Sequence, residues 1–208
     1  DGIKDSDGKG PRHTFFYPQE EYDYACIDLL AGFCRQGHGE VEVHLHHRND
    51  TREGLRQKLV EYRELLAAKH GLLGRDSSGN TRFGFVHGNW ALCNSRPDGD
   101  WCGVNDELSV LAECGCYADF TFPSAPSPTQ PKMVNAIYRA ADTGRPRAMD
   151  TGKEVREYGS VGVSGCGISV QDDYRLQTTD YRLQTRLRKD ATPWQATDPP
   201  SRRSYGGT

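Results

Sequence analysis

The stretch "GEVEVHLHHRND", residues 39 to 50, places three histidines within four positions at the end of an alternating acidic and aliphatic run. Imidazole nitrogens are good ligands for zinc-type divalent ions, and a metal held by such groups can activate water for hydrolysis. Side chains alternate across a strand, so Glu40, Glu42, His44 and His46 are expected on one face and Val41, Val43 and Leu45 on the other. The aliphatic face suits packing on helices. That turns His44 and His46 to the opposite side at the strand's carboxyl end, with His47 and Asp50 in the loop beyond. His44, His46, His47 and Asp50 are therefore the candidate metal ligands, zinc the expected ion. The competing expectation is a polar edge whose histidines are each satisfied by backbone hydrogen bonds.

Other residues can join this chemistry. His87, in "FVHGNW", also ends a strand-like run, and Asp119 lies in "CYADFTFP". Both are secondary catalytic candidates, although a strand aspartate often only caps a turn. Trp90, Trp101 and Tyr117 are candidate sugar-stacking residues, a role that competes with simple core filling. Cys93, Cys102, Cys114 and Cys116 contain no C-x-x-C pair, so buried thiols are preferred over an all-cysteine zinc site.

The elements that must position these groups read as follows. Residues 1 to 12 are a Gly/Asp/Lys linker whose D-x-D-G lacks the rest of a calcium loop. "HTFFY" is a strand, and Pro18 with Gln19, Glu20 and Glu21 opens a helix with Tyr22, Cys26, Leu29, Leu30 and Phe33 at helical spacing. The histidine strand follows. Asp50 and Glu53 resemble a capping box for a helix buried through Leu55, Leu59, Tyr62, Leu65 and Leu66. Residues 82 to 90 form the third strand, Asn105 caps a short helix, and residues 116 to 123 form the fourth strand. This βαβ order predicts an α/β fold with a parallel sheet or barrel. Residues 123 to 152 are Pro-rich, with one helical turn expected near Lys132 to Ala141. From 153 to 208 the composition is low in complexity, with "DYRLQTT" followed at once by "DYRLQTR", and a disordered tail is expected.

Bulk properties narrow the partners. Among 208 residues, 26 basic and 29 acidic side chains leave a net charge of -3, which gives no electrostatic reason for nucleic acid or an anionic membrane to bind. No apolar run approaches the ~20 residues needed to cross a bilayer. Seven irregularly spaced cysteines suggest reduced thiols and a cytoplasmic location, while the start at Asp1 without Met places any signal peptide outside the sequence.

The order "RHTFFYPQEEYDYACIDLLAGFCRQGHGEVEVHLHH" resembles the polysaccharide deacetylases of carbohydrate esterase family 4. The likeness covers residues 13 to 50 and extends loosely through "FGFVHGNW" and "GCYADFTFPSAPSPTQ" to about 150. It implies a partial domain, 13 to 152, made of βαβ units of a partly open (β/α)7 barrel. It also implies a metal bound by one Asp and two His, and removal of acetyl groups from a carbohydrate by metal-activated water. The first motif histidine falls on His44, or on His46 if Glu42 is aligned. Four residues on from these stand Arg48 and Asp50, so His47 or Asp50 must serve as the second. The family's Asp pair, which supplies the base, has no counterpart here. It is expected before residue 1, and this chain alone is expected to be inactive. Two other readings remain. The "VHLHH" pattern also suits an amidohydrolase or PHP-type phosphoesterase, and a non-catalytic sugar- or metal-binding module would need only the fold and its aromatic residues.

Overall fold

The computed structural model describes residues 2–136 and 138–154. Its elements are β1 (His13–Pro18), α1 (Tyr24–Arg35), β2 (Gly39–Leu45), α2 (Arg52–His70), β3 (Gly74–Arg75), β4 (Thr81–His87), α3 (Glu107–Glu113), β5 (Cys116–Asp119), β6 (Tyr138–Ala140) and β7 (Gly152–Glu154). Strands β1, β2, β4 and β5 pair in that order, all parallel, and β3 pairs antiparallel with the start of β4. The fold is thus α/β with a mostly parallel five-stranded sheet. Among the described residues β1 pairs with β2 alone and β5 with β4 alone, which leaves the sheet open.

Alternation in β2 is as expected. Val41, Val43 and Leu45 are buried, and with Phe83 and Phe85 of β4 they join a core supplied by α2 through Leu55, Leu59, Tyr62 and Leu66. Each such side chain contributes about 1.5–3 kcal/mol when removed from water. The two helix starts differ from expectation. Pro18 leads into a single 3-10 turn, Gln19–Glu21, and α1 begins only after Asp23, whose carboxylate accepts from Cys26 N at 2.8 Å. Ile27, Ala31 and Cys34 are buried, whereas Leu29 and Phe33 are exposed. Thr51, not Asp50, caps α2 by accepting from Gly54 N, because the Asp50 carboxylate is engaged by Lys58 Nζ at 2.6 Å and by Thr51 N.

The connection from β4 to α3 carries two 3-10 turns, Gly88–Trp90 and Leu92–Asn94. Asn89, Trp90, Cys93, Asn94 and Trp101 all have positive φ there, a conformation that costs a non-glycine residue free energy and must be held by its surroundings. Where a helical turn was expected near Lys132 to Ala141, β6 instead pairs antiparallel with β7, Tyr138 opposite Glu154. The expected boundary at 153 falls inside β7, and the remainder of the expected tail lies outside the described residues.

Candidate functional site

Parallel pairing of β2 with β4 sets Leu45 beside His87, so the carboxyl ends of the two strands lie together. Two residues past Leu45, His47 continues the buried face, and its ring stands 4.6 Å from that of His87. Glu107, the first residue of α3, enters between them: its Oε1 is 3.2 Å from His47 Nε2 and 3.3 Å from His87 Nε2. Cys102 completes the group, with Sγ 3.3 Å from Glu107 Oε2. One ligand atom from each of His47, His87, Cys102 and Glu107 lies within 4.8 Å of the others, and all four residues are buried. This buried cluster can hold a metal ion.

Its electrostatics follow from burial. His87 is driven down to about 4 by desolvation, so its ring is neutral at ordinary pH. Burial alone would raise Glu107, but His87, His47 and the Cys93 N–H, which donates at 2.7 Å, together hold its carboxyl below the usual range. Burial and the neighbouring Glu107 push the Cys102 thiol up. It donates toward Glu107, and only a cation taking that proton's place would make it a thiolate ligand. The outward nitrogens face oxygen: His87 Nδ1 bonds Gly88 O at 2.6 Å, and His47 Nδ1 sits 3.4 Å from Asp50 Oδ2 without hydrogen-bond geometry.

His44 and His46 do not join this cluster. Odd-numbered positions face the helices, and His44 lies on the other face with Glu40 and Glu42, its ring edge-on to His46 at 4.6 Å. His44 Nδ1 bonds Val86 O at 2.7 Å, and His46 Nδ1 contacts the Glu20 carboxylate. Both rings thus have Nδ1 committed to an oxygen acceptor, which leaves the Nε2 lone pair as the free one. His46 also lies flat on Gly88, where a Cβ would fall 2.1 Å from its Cδ2. The pair is half-buried and open to solvent, unlike the cluster behind it.

The remaining candidates separate. Asp50 stands behind His47 as a partner of Lys58 rather than within the cluster. Asp119, raised to about 7 by burial, accepts from Thr121 N and Oγ1 and so caps the end of β5. Thr121 Oγ1 in turn accepts from His87 N at 2.8 Å. Trp90 is half exposed directly after His87 and Gly88, at the carboxyl edge. Trp101 packs under Arg48, whose guanidinium lies 5.1 Å from the ring centroid. Tyr117 sits lower on the sheet, opposite the middle of β4, with its hydroxyl on Glu42 Oε1. These three aromatics do not form one platform.

Cys102 and Glu107 were outside the expected ligand set. Cys102 had been considered only with other cysteines, and Glu107 had not been singled out. One signal was present: "WCGVNDELSVL" puts a thiol and a carboxylate five residues apart at the mouth of an apolar helix. Compared with models of protein families, with curated proteins and with solved structures, the chain gives no significant match. No helix among the described residues is long and apolar enough to cross a membrane.

Proposed function

We propose that this chain contributes the open face of a metal-dependent hydrolase of the polysaccharide deacetylase type, acting on acetylated carbohydrate, within a partly open (β/α)7 barrel. The observation that carries the reading is the His44 and His46 pair at the carboxyl edge of the sheet, each ring with Nδ1 on an oxygen acceptor and Nε2 left as the lone-pair nitrogen. Carboxyl ends of parallel strands are where α/β folds place their chemistry. Histidines that bind metal commonly donate their second nitrogen to a carboxylate or carbonyl, and the donor set therefore fits a zinc-type ion.

A divalent ion at this position would polarise an acyl carbonyl and acidify a bound water. The chain's own residues do the rest. Val86 O and Glu20 fix the two imidazoles. Trp90, three residues past the end of β4, offers a half-exposed ring for a sugar. The resemblance also calls for an aspartate ligand and an aspartate base. On this face the described residues offer Glu20, Glu40 and Glu42; Glu40 accepts from Thr14 Oγ1, and Glu42 is occupied by Gly84 N and Tyr117 Oη. Turnover by this chain alone is therefore expected to fall by at least the ~10²- to 10⁴-fold that a missing general base costs, close to the inactivity expected from the sequence.

The test is acetate release from an N-acetylated chitin oligosaccharide by zinc-supplemented protein, run beside a phosphate monoester. Slow, zinc-dependent acetate release that disappears in His44→Ala and His46→Ala supports the reading. Phosphate release instead favours the phosphoesterase, and sugar binding with no product of either kind favours a non-catalytic module.

A further inference from the structure

We infer that His47, His87, Cys102 and Glu107 form a second, closed metal centre, in which one zinc-type ion has a structural role and ties the β4–α3 connection to the strand ends. This goes beyond the hydrolase reading and does not depend on it. Four observations carry it.

Donor number and type come first. Two imidazoles, a thiol and a carboxylate are the ligand classes a borderline-soft ion such as zinc selects, and structural zinc sites are closed by four protein ligands. Spacing agrees as well. Bonds of ~2.0–2.3 Å to a tetrahedral ion place neighbouring ligand atoms about 3.3–3.8 Å apart. Glu107 Oε1 is 3.2 Å from His47 Nε2 and 3.3 Å from His87 Nε2, and one ligand atom from each of the four residues lies within 4.8 Å of the others, so ligation would draw the wider pairs together.

The third observation is an unsatisfied atom. His87 Nε2 is fully buried, aimed at the carboxylate, and has no hydrogen-bond partner among the described residues. Buried polar nitrogens normally have a partner, and a cation shared with Glu107 would provide one. The outer nitrogens are arranged to match: His87 Nδ1 faces Gly88 O, and His47 Nδ1 faces Asp50, which Lys58 anchors.

Closure is the fourth. The side chains of His47, His87 and Glu107 have no solvent exposure, and Cys102 is likewise at 0%. No position is left for water or substrate, so the ion would not be the hydrolytic one. What it would hold is the connection between His87 and Glu107, where Asn89, Trp90, Cys93, Asn94 and Trp101 keep left-handed backbone conformations. Loading is balanced by one proton: Zn²⁺ forms a bond to Cys102 sulfur as the thiol proton leaves to solvent.

The experiment is metal analysis of the full chain as purified and after refolding with zinc, in the parent, in Cys102→Ser, in Glu107→Gln and in a His44→Ala, His46→Ala double variant. One tightly held zinc is expected to persist in the double variant and to bind at least about 100-fold more weakly in Cys102→Ser and Glu107→Gln. Stripping it with chelator should lower the parent's Tm by about 10 °C or more. Zinc that is absent from the parent under both conditions, or held equally by all variants, overturns the inference. If either single variant fails to fold, cobalt substitution of the parent decides. A thiolate-to-cobalt charge-transfer band supports the centre, and its absence rules it out. The open pair has no sulfur and cannot produce that band.

Discussion

His47 and His87 stand ring to ring, 4.6 Å between centroids, although 40 residues of chain separate them; parallel pairing of Leu45 with His87 is what brings them there. Glu107 Oε1 meets both rings, and the carboxylate therefore joins three elements: the end of β2, the end of β4 and the start of α3.

Replacing Glu107 with Ala should be severe. It removes the partner of Cys93 N, Cys102 Sγ and His47 Nε2 and the carboxylate that faces His87 Nε2, all buried. Breaking such a group typically costs 3–5 kcal/mol. Urea unfolding should show a midpoint far below that of the parent, and an unchanged midpoint would remove Glu107 from the centre of this network.

Stability should fall as pH rises toward neutral because of Asp119. Burial raises its folded pKa from 3.8 to about 7, so the fold prefers the protonated form. A raised folded pKa gives stability that is complete below the unfolded value and is lost as pH climbs through the folded one. The window runs from 3.8 to about 7. Across it the loss is of the order of 4 kcal/mol. Asp119→Asn should reduce that slope and leave the part due to Glu42, which burial raises to about 8; unfolding free energies measured at pH 4.5 and 7.5 in both proteins check it.

Gly88→Ala should disturb the open pair before it disturbs the core. A Cβ there would lie 2.1 Å from His46 Cδ2 and must displace the ring from Glu20. Zinc binding at the open pair should weaken by about 10-fold or more. Titration calorimetry on protein whose buried centre is already loaded separates the two sites.

Trp90→Ala tests the sugar face. The ring is 50% exposed, so its loss should leave Tm nearly unchanged. Stacking of ~0.5–1.5 kcal/mol predicts a drop in oligosaccharide affinity of about 3- to 10-fold. A drop in Tm with no change in affinity would make Trp90 a packing residue.

Ile27→Ala and Leu29→Ala test the phase of α1. Ile27 is fully buried and Leu29 is 64% exposed. The first should cost about 2–5 kcal/mol. The second should stay within about 0.5 kcal/mol. Reversed values would put the other face of α1 against the sheet.

The contrast between α1 and α2 shows what could be read from the sequence. In α2 a long leucine-rich stripe left one phase possible, and Leu55, Leu59, Tyr62 and Leu66 are buried as expected. In α1 nearly every position from Tyr24 to Phe33 except Asp28 is apolar or small, so period alone could not choose a face. The face that packs carries Ile27, Ala31 and Cys34. The alternation of β2 was equally legible, since acidic and aliphatic residues alternate without a break. At the site, His47 was legible because it lies in a histidine run. Its partners were not: Glu107 is 60 residues away, and only the parallel crossover and the left-handed turns after His87 bring it near. Local spacing carries no signal of such a meeting. It also grouped His47 with His44 and His46, although the strand's pleat assigns neighbours to opposite sides.

That division between His46 and His47 also makes the segment sensitive to insertion or deletion. Adjacent residues serve two different environments, one wet and shared with Glu20, the other dry and shared with Glu107. A single residue added or lost between Leu45 and Arg48 would hand each imidazole the other's address. Substitution at either position would disturb one site alone, but a change in length by one would empty both sites at once.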